Sequence, residues 1–199
     1  MTPPAKGVRQ VSGHALCCAL SGISMMMRLF FALVAALGLV VAVPARADVT
    51  VTFWSHTRDQ NYPHAFILMR GRVDATGEVV DSNIGFTARR LSPGLLFGSV
   101  DGQMETLSAG YVARATSAPH FSVRLDDAGY ARLTAAIARW RAAPQPGYNL
   151  NRRNCVHFVM EAIVLLGFQV NRESKFFKKP KSFVLEVMQL NPMLALLEK

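Results

Sequence analysis

One stretch of this 199-residue chain concentrates groups that could do covalent chemistry. Tyr148-Asn149-Leu150-Asn151-Arg152-Arg153-Asn154 is a polar, turn-like run, and Cys155 follows it directly, ahead of the apolar residues Val156, Phe158 and Val159. A cysteine in the first turn of a helix meets unpaired amides and the positive end of the helix dipole, which stabilise a thiolate and can hold an oxyanion on a substrate carbonyl. Such a thiol is a candidate nucleophile that needs a base. His64, at the head of the apolar run Ala65-Phe66-Ile67-Leu68-Met69, is the histidine expected to supply one. His157 stands two residues beyond Cys155, roughly on the opposite side of the same helix, and reads as structural. His56 and His120 read as loop or strand-end residues, although His56 leads toward His64 and could line a cleft. Tyr148 can pack beneath the cysteine loop or hydrogen-bond across it, and packing is the favoured reading.

These side chains need elements to position them. Val49, Val51 and Phe53 alternate with Thr50, Thr52 and Trp54, the period-two pattern of a strand. A polar loop over residues 55–62 leads to Pro63, which suits a strand entry where no ladder donor is required, so residues 64–70 are expected as a buried strand. Residues 71–77 supply a turn, and 78–87 read as the returning strand of a hairpin. Residues 91–103, rich in Gly and Pro, leave room for a short strand or a flap over a site. Residues 111–116 and 121–125 read as two further strands with a turn over 117–120. Asp126 and Asp127 start a helix whose apolar face is Tyr130, Leu133, Ile137 and Trp140, running from Asp127 to Arg141. Asn151 or Asn154 can cap the next helix, which turns Phe158, Val159, Ala162, Ile163 and Leu166 to the core and closes at Gly167. A last helix is expected over 181–190, stopped by Asn191-Pro192. Residues 193–199 form an apolar end that docks or frays.

The first 47 residues read as a segment removed before folding. Arg28, the apolar residues 29–43 and Ala45-Arg46-Ala47 match the charged, apolar and small-x-small parts of a signal peptide over 25–47. Pro44 interrupts a run already short of a membrane span, so no transmembrane anchor is expected. Residues 1–24 stand awkwardly before that signal, and Met25, Met26 and Met27 offer later starts. The expectation is an exported, periplasmic or secreted protein that begins at Asp48. Cys17 and Cys18 would leave with the leader, making Cys155 a lone thiol in an oxidising compartment, where it is buried and inert, paired between chains, or kept for its reactivity. Removing Lys6, Arg9, Arg28 and Arg46 from 22 basic residues, against 13 acidic ones, leaves a charge of +5. The basic cluster Arg172, Lys175, Lys178, Lys179 and Lys181, within a C-terminal extension at 171–199, could meet an anionic envelope surface. There is no zinc spacing, phosphate-cradling Gly-rich loop or nucleic-acid motif, so neither metal, cofactor nor nucleic acid is expected.

Asn154-Cys155-Val156-His157-Phe158-Val159 resembles the Asn-Cys-x-His-Phe-Val signature of the lecithin:retinol acyltransferase group, and Tyr148-Asn149-Leu150 resembles the approach to it in PPPDE-type thiol isopeptidases. Both groups belong to the circularly permuted, papain-like, NlpC-related superfamily. The resemblance covers residues 64 to about 168 and implies a strand histidine before a helix-start cysteine, the order of His64 and Cys155. It also implies a third polar residue on the strand after the histidine. Asn83 is the candidate, with Thr87 and Asp81 on the same alternating face. The second histidine of the acyltransferase group is missing from that strand. The expected protein is therefore a single α+β domain over 48–199, with an antiparallel sheet of about five strands packed against helices. Its expected activity is hydrolysis of an amide or isopeptide bond, such as one in an envelope peptide, through Cys155, His64 and Asn83. The alternatives are a lipid or ester acyltransferase and a non-catalytic envelope binding protein.

Overall fold

The computed structural model describes residues 49–57, 62–90, 92–113, 116–145 and 147–196. The chain divides into two units, Met1–Pro44 and Ala45–Lys199. The leader expected over 25–47 lies outside the described residues.

The second unit is α+β. Strands β1 (Val49–His56), β2 (His64–Arg72), β3 (Val79–Ala88), β5 (Gly102–Thr106) and β6 (Ser117–Leu125) form one antiparallel sheet in the order β5-β3-β2-β1-β6. The short strands β4 (Ser99–Val100) and β7 (Tyr148–Asn149) form a two-stranded ribbon. Among the described residues the helices are α1 (Gly94–Phe97), α2 (Ala109–Val112), α3 (Asp127–Arg141), α4 (Cys155–Leu165) and α5 (Pro180–Leu190), followed by a 3-10 turn at Pro192–Leu196.

Alternation along the strands decides which face is covered. Val51 and Phe53 of β1, Ala65, Ile67 and Met69 of β2, and Ile84 and Phe86 of β3 join one buried cluster with Leu133 and Ile137 of α3, Val156 and Val159 of α4, and Phe183 and Val187 of α5. Removal of this apolar surface from water holds the helices on the sheet. Helix α3 has the bounds its periodicity predicts, with the Asp126 Oδ1 accepting from Gly129 N at 2.6 Å. Gly167, at φ +86°, ends the turn after α4 in a left-handed conformation that glycine alone adopts without strain. The C-terminal segment at 171–199 is partly core: Phe183, Val184, Val187 and Leu194 are fully buried.

Two expectations need correction. Residues 111–116 do not form a strand: the Ser108 hydroxyl caps Tyr111 N at 3.1 Å and starts the short helix α2, while 114 and 115 lie outside the described residues. The turn expected over 117–120 is instead the first half of β6. Pro119 is tolerated there because β6 is an edge strand and its pairing with β1 shifts register between Phe53 and Trp54. Residues 91–103, open to either a short strand or a flap, hold the strand β4, and Gly102-Gln103-Met104-Glu105-Thr106 closes the other edge of the sheet as β5.

Candidate functional site

The loop before Cys155 is built from asparagines. Asn149 Oδ1 accepts from Asn151 N at 2.9 Å and Arg152 N at 3.2 Å, and the backbones of Asn149 and Arg153 exchange hydrogen bonds of 2.8 and 2.9 Å. Asn154, 2% exposed, is the helix cap left open between it and Asn151. Its Oδ1 accepts from Val156 N at 2.8 Å and His157 N at 3.3 Å, and its Nδ2 donates to Leu150 O at 2.7 Å and Phe177 O at 2.9 Å. Asn154 N in turn donates to His157 Nδ1 at 3.2 Å, completing a capping box. His157 also stacks on Phe177, with ring centroids 4.5 Å apart, so it locks the helix start and ties it to the segment before α5. Burial holds its imidazole below the usual histidine range.

Cys155 is the free cysteine among the described residues and is 4% exposed. The N–H groups of Ala65, Val156 and Cys155 itself, together with the Tyr148 hydroxyl, lie near the sulfur and favour a thiolate. Burial outweighs them and pushes the thiol up to about 11. The position at a helix start thus supplies the donors that sequence reasoning anticipates, but desolvation leaves the resting thiol protonated. Tyr148 both packs and hydrogen-bonds. Its ring lies 5.4 Å from that of Phe86, and its hydroxyl, raised above the usual range by burial and the adjoining Cys155, interacts with Cys155. Gly102 permits this packing, because a Cβ there would come within 2.5 Å of Phe86 Cζ and 3.1 Å of Tyr148 Cβ.

A cavity of about 810 Å³ opens at this end of the sheet. Cys155, Tyr148, Asn154 and His64 are among the residues that line it, with Glu105 and Lys178. Cys155 and His64 therefore share a cavity, yet His64 and Ala65, the β2 residue beside the thiol, turn to opposite faces of the strand. Ala65 is the β2 residue whose amide meets the thiol, and it belongs with Ile67 and Met69 on the helix-covered face. His64 pairs across the sheet with His56, and its ring stacks on Phe66, centroid distance 6.1 Å, with the edge of Tyr111 at 6.4 Å. Gly85 of β3 makes room for it: a Cβ at that position would overlap His64 Nε2. Burial, assisted by neighbouring His56, lowers the imidazole to about 4. In this arrangement His64 Nε2 makes no hydrogen bond to the thiol. A one-residue alternation separates the groups, and moving a proton from a thiol near 11 to an imidazole near 4 would cost about 10 kcal/mol.

Asn83 does not hold His64 either. It pairs with Leu68, beyond Gly85, and Asn83 Oδ1 and His64 Nε2 are both buried without a hydrogen-bond partner. Of the alternatives, Asp81 is engaged with Arg70 at 3.1 Å, and Thr87 lines the cavity. His56 is fully buried and bonded through Nδ1 to Ser117 Oγ at 3.0 Å, so it supports the sheet instead of lining the cleft. His120 bonds Ser55 Oγ through Nε2 at 2.7 Å on the neighbouring strand. The Ala65 amide is a site group with no sequence signature, because any residue other than proline would supply it.

Together these features define an α+β domain with a thiol at the start of a helix, the free one among the described residues, lining a cavity. Among known proteins, no family model, curated protein or solved structure matches the chain.

Proposed function

We propose that this is an exported thiol hydrolase of permuted papain-like fold, acting on an amide or isopeptide bond, with Cys155 as the nucleophile. The observation that carries this reading is a sulfur at a helix start that lines a substrate-sized cavity, with three backbone amides and a phenol beside it that favour its thiolate. The thiol attacks the carbonyl, its proton passes to His64, and the imidazole returns that proton to the leaving amine. His64 must first leave its place over Gly85. Its Nε2 has no hydrogen bond to lose there, and contact with the sulfur would raise the imidazole and lower the thiol. An envelope peptide suits the expected compartment, and the basic residues Lys175, Lys178 and Lys179 would favour an anionic surface nearby.

A specific observation favours a second reading, a non-catalytic envelope binding protein: the resting thiol is protonated and touches no base. Incubation with p-nitrophenyl acetate and with a peptidoglycan stem peptide, followed by mass spectrometry, separates the two. The hydrolase reading expects an acyl adduct on Cys155 that is absent in Cys155→Ala, and stem-peptide cleavage that slows in His64→Ala. Intact stem peptide with an unmodified Cys155 excludes it in favour of binding. An adduct without hydrolysis leaves acyl transfer as the activity.

A further inference from the structure

A second concavity, about 430 Å³, lies on the other side of the cysteine loop. Arg152, Arg153 and Arg172 line it, with Met160, Val164 and Leu165 of α4 as its apolar floor. Among the described lining residues the carboxylate is Glu161, and that charge is already matched. Arg139 Nη2 donates to Glu161 Oε1 at 2.9 Å, and Trp140 Nε1 donates to Oε2 at 2.7 Å. Three arginines therefore line one concavity whose lining carboxylate is already engaged by Arg139 and Trp140. Arg153 is held in place, its guanidinium 4.4 Å from the Trp140 ring centroid and 5.3 Å from that of Phe86. Arg152 and Arg172 are exposed and can close on a ligand.

We infer that this groove binds a phosphate monoester, with the phosphate held by Arg152, Arg153 and Arg172 and the organic part lying on Met160, Val164 and Leu165. Arginine presents a planar fork of donors that engages anionic oxygens in pairs. Three such forks exceed what the two oxygens of a carboxylate can accept, whereas a phosphate monoester offers three terminal oxygens and a charge of about −1.5 to −2. The half-buried aliphatic side chains beneath add an apolar wall that inorganic phosphate would leave uncovered. The ester can be a soluble one or the headgroup of a lipid, since both present the same phosphate.

Two binding measurements on the purified protein distinguish the sources. One titrates phenyl phosphate calorimetrically, with inorganic phosphate as comparison. The other sediments the protein with vesicles of phosphatidylcholine alone or containing phosphatidic acid. The expected result is saturable binding of phenyl phosphate or of the phosphatidic acid vesicles, weakened about tenfold or more by Arg152→Gln and by Arg172→Gln. Arg141→Gln, the same charge change outside the groove, should leave it unaltered. A soluble ester is the ligand if the first probe binds, and a lipid headgroup if only the vesicles do. No saturable binding of either probe overturns the proposal, as does an equal loss in Arg141→Gln, which would show a response to net charge alone. Arg152 and Arg172 are exposed, so their substitution leaves the core intact, and a matched unfolding midpoint confirms it.

Discussion

Asn154 joins the start of α4, the cysteine loop and the segment before α5, and Asn154→Ala removes all of these ties at once. The cap to Val156 N and His157 N contributes about 1 kcal/mol. The two bonds from Nδ2 to Leu150 O and Phe177 O contribute about 1 kcal/mol each. With Asn154 only 2% exposed, water cannot readily replace them. Urea unfolding followed by circular dichroism should therefore show a loss of about 3 kcal/mol. Asn154→Asp separates the contributions: it keeps the cap oxygen while removing both donors and setting a carboxylate against two carbonyls. A loss below about 1 kcal/mol for Asn154→Ala would refute the argument that this side chain fixes the loop, and with it the account of how Cys155 is positioned.

Gly85→Ala should displace the His64 ring, costing about 1–3 kcal/mol in stability, with altered His64 imidazole resonances as the direct readout. The folded His64 lies near 4 against 6.5 unfolded, so the unfolded chain binds more protons between those values. Its contribution is present above about pH 6.5 and is lost as pH falls toward 4, by about 3 kcal/mol in all. Urea titrations at several pH values should show that slope in wild type and its reduction in His64→Gln. Leu133→Ala, at a fully buried position on the inner face of α3, should cost about 2–5 kcal/mol in the same assay.

Long periodic elements were legible in the sequence for physical reasons. The apolar spacing from Asp127 to Arg141 needs no partner to be recognised, and alternation from Val49 to Phe53 marks a half-covered strand whatever lies beside it. The edges were not legible. Gln103, Met104 and Glu105 have neither β-branching nor strict alternation, and become a strand because β3 offers an unpaired edge. Tyr111 and Val112 favour strands by propensity, but a serine cap turns them into a helix. At the site, the helix start and its asparagine cap could be read from Asn154-Cys155, whereas the thiol's protonation depends on burial by residues distant in sequence. Strand phase at His64 was not legible: residue 64 and residue 65 face opposite ways, and only the sheet shows which face the helix covers.

The pH dependence of iodoacetamide alkylation at Cys155, compared between wild type and His64→Ala, tests the resting site most directly. A buried, protonated thiol with no histidine partner predicts slow alkylation at neutral pH, rising with a midpoint near 11, and the same midpoint in both proteins. A midpoint at or below that of an ordinary thiol, about 8.5, which moves upward in His64→Ala, would reveal a preformed thiolate-imidazolium pair and contradict the account.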